Sequence, residues 1–395
     1  MSLELHVHSR IDEVDPAAWN ALWRPADTPF VEHRFLHGFE ETGCVGEGTG
    51  WMPHHLTLHD QGRLIAAAPA YVKFNSEGEF VFDWGWADAA HRAGIDYYPK
   101  LIVAVPFTPA TGARVLIAPD QDRPTILRLF ARALMQLFNA ENALSSMHIL
   151  FTEDELTRPF LDAGFGLRFG VQYHFRNEGR CADSHTDTEH RHGRPPGLRS
   201  FEDFLTTLPS KRRTQIRRER RSIGEQGFTV RTLRADELTP EIARVAYELY
   251  LTTVDKFAWG RRYLNADFFA YLARELPERQ RWVVAEREGR IVAGAINLIG
   301  EGVLYGRYWG AFEEHPFLHF ATCYYHGVDE CIRDGLHTFE PGAGGEHKRP
   351  RGFVPTKTRS LHVLRNPHLA HAVDDFLARE RSAIERLLAE HAEQR

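Results

Sequence analysis

Two short stretches, "DQGRLIAAA" at residues 60–68 and "REGRIVAGA" at 287–295, decide the fold class of this chain. Each places a glycine, Gly62 or Gly289, between two runs rich in alternating apolar residues, which is the pattern of a tight antiparallel hairpin. A third strand is predicted after each hairpin, in "GEFVFDWGW" and in "GVLYGRYWG". The second hairpin lies 227 residues after the first and the third strands lie 224 apart, so the spacing predicts two copies of one domain.

Each hairpin is followed by helices and further strands. In the first copy, "RPTILRLFARALMQLFNA" at 123–140 repeats apolar residues at helical spacing, and in the second copy "FLHFATCYYHGVDECIRDG" is the corresponding helix. We therefore predict an α/β (α+β) protein of two mixed domains, each a mostly antiparallel sheet flanked by helices. The expected boundaries are 1–180 for the first domain, 181–200 for a polar linker rich in Pro and Gly, and 201–395 for the second domain.

The composition is that of a globular protein, with 43% hydrophobic residues over 395 positions. No apolar run is long enough to cross a membrane, and the charged N-terminus lacks the apolar core of a signal peptide. The four cysteines are scattered, which favours a reducing compartment, so a cytoplasmic location is expected. The net charge is −6, but residues 1–190 alone carry −11, so an anionic ligand is expected to prefer the C-terminal half. No DNA partner is predicted.

A strongly basic segment, "SKRRTQIRRERR" at 210–221, holds seven cations and one acid. Helical spacing places Arg213, Arg217 and Arg221 on one face. Two interpretations stay open, a solvated helix face or a phosphate-binding surface for an RNA acceptor stem or a nucleotide diphosphate.

A glycine-rich segment, "FEPGAGGEHKRPRGFVPT" at 339–356, follows a predicted strand end. Glycines allow close approach of the backbone to a ligand, and the clustered cations indicate a negative charge on that ligand. Glu340 and His347 are the nearest groups that can accept a proton. Either could instead only pair with the neighbouring arginines.

In the first copy, "YYPKLIVAVPFTP" at 97–109 predicts a buried strand with aromatic flanks, and Asp83 and Trp86 precede it. Tryptophans are more often core residues than platforms for a ligand.

These patterns together resemble a known family. The order of hairpin, strand, helix, strand and a helix ending in "AGF" resembles the GNAT N-acyltransferase fold. Two such domains, with a basic helix before the second hairpin and a glycine-rich strand end with a lysine, are similar to Fem-type transferases. The stretches "GWADAAHRAGIDYYPKLIVAVPFTPATGARVL" and "FEPGAGGEHKRPRGFVPT" resemble a bacterial FemAB-like family of predicted N-acyltransferases labelled with peptidoglycan biosynthesis.

The resemblance implies an N-acyltransferase that moves an acyl or aminoacyl group onto an amine acceptor, which would be a small molecule or a peptidoglycan precursor. It implies aminoacyl-tRNA as the donor substrate, and hence tRNA as a partner. Lys348 would lie beside the acyl carbonyl and stabilise the oxyanion, and the basic helix would contact phosphate. The remaining positions expected to bind substrate or donor, or to act as an acid or base, are Glu340, His347, Tyr308, Arg307, Gly344, Gly345, Arg351, Tyr97, Tyr98, Lys100, Asp83 and Trp86.

Two rival functions stay open. GNAT enzymes that use coenzyme A resemble one another in a glycine loop that opens the helix after this strand and cradles pyrophosphate. The junction here reads "GAFEEHPFLHF", with Glu313 and Glu314, so an acyl-CoA donor is disfavoured but not excluded, and acetyl-CoA-dependent acetylation is the first rival. The second rival is a non-catalytic binder of RNA or of anionic envelope precursors. No cofactor is certain and no metal is predicted, since His185, His190 and His192 match no zinc spacing.

Overall fold

The structure of the chain, a computed structural model, describes residues 3–24, 26–178, 197–256 and 261–393. They form two compact units, the first from Met1–Val171 with Lys357–Arg395 and the second from Gln172–Thr356. Most of the expected linker at 181–200 lies outside the described residues. The expected second domain, 201–395, ends too late, because the strand and helix after Thr356 belong to the first unit.

The strands are, in chain order, β1 Leu3–His8, β2 Trp51–Pro53, β3 His55–Asp60, β4 Arg63–Ala68, β5 Ala70–Lys73, β6 Lys100–Val103, β7 Leu116–Ile117, β8 Ser146–Leu150, β9 Gly166–Arg176, β10 Thr229–Thr232, β11 Gln280–Arg287, β12 Arg290–Gly300, β13 Val303–Ala311, β14 Thr338–Glu340 and β15 Val354–Leu364. The helices are α1 Pro16–Asn20, α2 His33–Glu41, α3 Trp84–Arg92, α4 Arg123–Ala140, α5 Thr157–Asp162, α6 Phe201–Thr206, α7 Ser210–Glu225, α8 Pro240–Val254, α9 Ala266–Glu275, α10 Leu318–Phe320, α11 His326–Arg333 and α12 Pro367–Glu393. A π-helical turn, Ala321–Tyr325, joins α10 to α11.

The first unit is built on two sheets. One has the order β1-β3-β4-β7, and the other places β15, β8, β6, β5 and β2 side by side. The predicted hairpin is β3–β4, with Gly62 at φ +78° in its turn. The sheets pack on α4 through a fully apolar cluster that includes Ile126, Phe130 and Leu134. The amphipathic helix expected at 123–140 is therefore confirmed with its apolar face inward.

The last 39 residues join the first unit through backbone pairing and packing. β15 is antiparallel to β8, with Ser360 opposite Leu150 and His362 opposite His148. Helix α12 then packs Leu369 and Val373 into an apolar cluster with α3. Sequence order suggested the second domain for this segment, but strand pairing decides the assignment.

The third strand predicted at 78–86 in the first copy is absent from the structure. The chain there is irregular up to Asp83, and α3 begins at Trp84. The carboxylates of Glu79 and Asp83 turn inward to the ammonium of Lys100. In a strand, the Cα atoms of residues four positions apart lie about 13 Å from each other, which does not suit two carboxylates that contact one ammonium.

The second unit contains the sheet order β10-β11-β12-β13-β14, to which the last residues of β9 add. The hairpin at Gly289 joins β11 and β12, and β13 is the predicted third strand. Helix α8 packs tightly on β13, because a Cβ at Gly310 would lie 1.8 Å from the Leu249 carbonyl oxygen. The helix predicted before Gly335 is also present, as the α10–π–α11 segment.

Candidate functional site

The centre of the second unit is the place where β13 leaves its parallel neighbour β14. The last paired residues are Tyr305 and Glu340. On the other side of β13, Ile296 pairs with Tyr308 and Asn297 with Gly306, so Arg307 is an extra residue in the ladder. The extra residue makes a β-bulge at Arg307. A bulge leaves backbone groups outside the sheet ladder and redirects a side chain.

Glycines are required where the bulge meets the chain beyond β14. A Cβ at Gly306 would lie 3.1 Å from the Cα of Pro341. Gly342 has φ +87°, in the left-handed region that favours glycine, and a Cβ there would lie 3.2 Å from the Gly306 carbonyl oxygen. The two backbones therefore lie directly against each other, which fixes the start of the glycine-rich turn.

Lys348 lies in the 3-10 helix Glu346–Arg351 that follows this turn. Its side chain is buried, and its Nζ donates to the carbonyl oxygens of Gly342 at 2.7 Å and Ala343 at 3.3 Å. Burial lowers the pKa of Lys348 to about 8, with Cys323 opposing the shift and Arg307 adding to it. Backbone carbonyls thus hold the predicted catalytic lysine in place, and its ammonium group loses a proton more readily than that of an exposed lysine.

Glu340 at the end of β14 faces His174 of β9. The His174 ring is buried, and its Nδ1 lies 4.0 Å from Oε1 of Glu340. Its Nε2 is 3.0 Å from Oε1 of Gln172. Burial, together with the nearby charges of Arg176, Lys348 and Arg307, lowers the pKa of His174 to about 3, so the ring is neutral at pH 7.

The two neighbouring residues of the bulge serve different surroundings. The guanidinium nitrogens of Arg307 are buried; burial lowers its pKa, and the charge of Glu340 acts in the opposite direction. The ring of Tyr308 packs against Tyr250 of α8, with 5.3 Å between centroids, and against Phe269 of α9 at 6.1 Å. Arg307 therefore belongs to the Glu340 environment, whereas Tyr308 packs among aromatic rings.

The turn residues predicted beside Lys348 divide into exposed and buried ones. Gly344 and His347 are exposed, Gly345 is half-buried, and His347 Nε2 lies 2.8 Å from the Tyr324 hydroxyl. Arg351 is buried instead: it stacks 3.4 Å from the ring of Phe320 and donates to other protein atoms. Arg351 was expected to bind substrate, but in the structure its guanidinium contacts other protein groups and holds this turn.

The basic helix is α7, and its three predicted arginines are not buried. Arg217 pairs with Glu202 at 2.6 Å and Arg221 with Glu225 at 3.5 Å, with both arginine side chains more than half exposed. Arg213 donates to the Leu208 carbonyl oxygen. The buried face of α7 carries Ile216, Ile223 and Glu219. Glu219, not these arginines, connects the helix to the turn of Lys348, through Arg351.

The first unit holds a separate polar cluster around Lys100. The buried ammonium of Lys100 contacts Glu79 and Ser76 at 3.0 Å and also Asp83. The Tyr97 hydroxyl donates to Asp83 at 2.6 Å. Burial acts to raise the pKa of Asp83, but the Lys100 ammonium outweighs it and holds that pKa at about 2. The structure thus brings Asp83, Tyr97 and Lys100 together in the interior of the unit, where they contact one another, and their expected role in binding substrate stays a prediction.

The other aromatic candidates of the first unit surround this cluster. Tyr98 is half-buried and its hydroxyl lies 2.7 Å from that of Ser76. Trp86 is buried, with the Arg168 guanidinium over its ring at 5.0 Å. Trp86 is therefore a core residue of α3, in agreement with the more common role of tryptophan.

Sequence reasoning missed His174, Glu219 and Glu79. All three are polar residues on the buried side of an element, where a partner is required. A signal was present for His174, because Gln172, His174 and Arg176 alternate along one strand and place polar groups on the same face.

The junction after β13 carries acids that are already paired. Glu313 contacts Arg287 at 2.7 Å and Glu314 contacts Lys256 at 2.7 Å. Within the described residues, no group of three or more His, Cys, Asp or Glu side chains could hold a metal ion, and His185, His190 and His192 lie outside them. In the same part of the chain, no helix is both long and apolar enough to span a membrane.

Comparison with known proteins gives a consistent assignment. Residues 10–395 match the model of the FemAB-like family, described as peptidoglycan biosynthesis/recognition. The structure is similar to that of FemX, with a TM-score of 0.53 and 11% identity over 94% of this chain and 100% of the other. It is also similar to L-PGS from Bacillus licheniformis, with a TM-score of 0.51 and 12% identity over 92% and 97% of the two chains. No curated protein matches the sequence. The family resemblance, the tandem GNAT-like fold class and the class of N-acyltransferase are confirmed.

Proposed function

The chain belongs to the FemAB-like family of peptidoglycan biosynthesis and recognition proteins and is an N-acyltransferase of the Fem type, and on this premise we propose that it transfers an aminoacyl group from aminoacyl-tRNA to an amine of a peptidoglycan precursor. The observation that supports this reaction best is the position of Lys348. A buried ammonium follows a glycine turn that lies directly against a β-bulge. A positive charge beside a bulge, which turns backbone groups out of the regular sheet ladder, suits an oxyanion.

The proposed reaction needs no covalent enzyme intermediate. The amine nitrogen of the acceptor attacks the ester carbonyl carbon, and the carbonyl oxygen takes up a negative charge that Lys348 stabilises. The new C–N bond forms as the ester C–O bond breaks. The nitrogen gives up one proton, for which Glu340 is the acceptor in the site, and the leaving hydroxyl oxygen of the donor takes up a proton.

The donor assignment is supported by the junction after β13. A coenzyme A pyrophosphate would meet the carboxylates of Glu313 and Glu314 there. The cations beside them, Arg287 and Lys256, already pair with these carboxylates. The polyanionic donor would instead contact the exposed face of α7 that carries Arg213, Arg217 and Arg221. Arginine suits this task because its planar guanidinium binds phosphate through two hydrogen bonds. The thiols of Cys323 and Cys331 fit a reducing compartment, so we place the reaction in the cytoplasm.

The proposal is tested by transfer of radiolabelled amino acids. Purified protein is incubated with a mixture of charged tRNA and with peptidoglycan precursors, and label in the precursor is counted. We expect transfer by the wild type, a loss of at least about 100-fold in Lys348→Met, and no loss in Lys256→Met, an exposed lysine of the same unit. Tight stoichiometric binding of acetyl-CoA by calorimetry, with acetyl transfer in place of aminoacyl transfer, would overturn the proposal.

A further inference from the structure

The inference concerns His174, whose ring nitrogens are used unequally. Oε1 of Gln172 can only accept a hydrogen bond, so the Nε2 atom 3.0 Å away carries the ring proton. In a neutral ring the Nδ1 atom then presents a lone pair. That atom is buried and has no hydrogen-bond partner in the described part of the chain. A buried polar atom in this state is uncommon and calls for a physical explanation.

The group facing this lone pair is itself a hydrogen-bond acceptor. Oε1 of Glu340 lies 4.0 Å from Nδ1 of His174, too far for a direct hydrogen bond. Protonation of the ring would allow an ion pair, but burial and the positive charges of Arg176, Lys348 and Arg307 oppose it. The buried Nδ1 atom of His174 therefore requires a hydrogen-bond donor from outside the pair, and the carboxylate of Glu340 can accept from the same donor.

We propose that Nδ1 of His174 and the carboxylate of Glu340 form the subsite that takes the N–H groups of the acceptor amine. The identification of the ligand as an amine rests on the proposed function, whereas the pair of acceptors does not. The subsite gives the attacking nitrogen two fixed hydrogen-bond acceptors and leaves its lone pair for the carbonyl carbon. His174 positions the amine, and Glu340 receives the proton that the nitrogen loses.

The position of the pair agrees with this role. Glu340 is the last residue of β14 paired with β13, directly before the glycine turn and opposite Tyr305, two positions before the bulge residue Arg307. Lys348 and Arg307 act electrostatically on His174, so the pair lies within range of the proposed oxyanion charge. The acceptor pair therefore suits the attacking amine, and the cations suit the carbonyl oxygen of the ester that the amine attacks.

The experiment observes the His174 ring directly. Protein labelled with ¹⁵N in its histidine rings is titrated with ethylammonium chloride, and separately with tetramethylammonium chloride, a cation without N–H groups. We expect the Nδ1 resonance of His174, assigned by its loss in His174→Gln, to shift upfield with ethylammonium and not with tetramethylammonium. His55, another buried strand histidine, is the internal control, because its Nε2 already lies 2.7 Å from Glu40. The response is expected to disappear in Glu340→Gln, whose side-chain amide can donate to Nδ1 itself.

Kinetics supply a second readout. His174→Leu is expected to raise the KM for the acceptor at least tenfold and to leave the KM for the donor within twofold. Equal shifts with both ammonium salts, or unchanged KM values in a folded His174→Leu variant, would overturn the subsite. The proposed function can fail separately. If aminoacyl transfer is absent while His174 still responds to ethylammonium, the proposed reaction is wrong but the subsite stands. Transfer without any response removes the subsite alone.

Discussion

The carboxylate of Glu219 lies 3.5 Å from the guanidinium of Arg351, and both side chains are buried, with exposures of 1% and 9%. Glu219 is the acid within the seven-cation segment of α7, and it also accepts from the Tyr325 hydroxyl. Arg351 ends the 3-10 helix that carries Lys348. The acid of the basic helix therefore fixes the turn that presents the lysine, and the fold of the site depends on this pair.

Removal of one partner of this pair is expected to destabilise the protein. Glu219→Leu leaves the Arg351 guanidinium buried without its counter-charge, which costs about 3–5 kcal/mol of unfolding free energy. Urea denaturation measures the loss. The matched control is Arg217→Met, which removes an exposed ion pair with Glu202 and should cost at most about 1 kcal/mol. Equal effects of the two variants would contradict a structural role for the buried pair.

The pKa of Lys348 predicts the alkaline limit of activity. The ammonium form stabilises the oxyanion, and its pKa is lowered to about 8 by burial. The rate of transfer should therefore fall as the pH rises through about 8, because the lysine loses its charge. Initial rates measured between pH 6 and 10 test this alkaline limb, that is, the fall in rate above about pH 8. Lys348→Arg keeps a cation over the whole range, so any activity it retains should lack the limb at pH 8. An unchanged limb in that variant would show that another group causes it.

Close backbone packing at Gly306 predicts a loss of activity in Gly306→Ala. The added Cβ would lie 3.1 Å from the Cα of Pro341 and would push away the chain that leads to Lys348. We expect the rate to fall about tenfold or more, since small displacements of reacting groups have large effects. Gly224→Ala is the control: it lies in α7 with nothing within 4 Å of its Cβ, and should stabilise the helix by about 0.5–1 kcal/mol. Full activity in Gly306→Ala would contradict a role for the bulge in the reaction.

A buried histidine pair predicts the response of the first unit to acid. His148 and His362 are partners across β8 and β15, with their Nδ1 atoms 2.7 Å apart. Burial lowers the pKa of His148 to about 3 and that of His362 well below its usual value. Below about pH 6.5 the unfolded chain binds protons that the folded pair does not, so stability falls as the pH falls, by about 1.4 kcal/mol per unit for each neutral histidine.

The measurement is urea denaturation between pH 7.5 and 4.5. His148→Gln cannot titrate at that position and should give a shallower slope of stability against pH below about 6.5. His371→Gln, at an exposed position of α12, serves as the control. A slope in His148→Gln as steep as that of the wild type would contradict the assignment of the neutral pair.

Local patterns predicted much of the secondary structure. The two hairpins at Gly62 and Gly289 and the helix α4 form as expected, because turn glycines and apolar periodicity act within a few residues. The strand expected at 78–86 failed for a non-local reason: the acids of that segment turn to Lys100, which lies on β6. The prediction that the C-terminal strand belongs to the second domain failed for the same kind of reason, because its pairing with β8 is not visible in sequence order.

The amino-acid sequence by itself determined the two hairpins, the basic face of α7 and the glycine turn with its lysine, because each of these depends on neighbours along the chain. Only the tertiary structure decided which charges meet. It buried Arg351 on Glu219 and brought His174 of β9 to Glu340 of β14, over 166 residues of chain. Burial and distance set the pKa values of such groups and leave Nδ1 of His174 without a hydrogen-bond partner among the described residues, and neither burial nor distance can be read from sequence order.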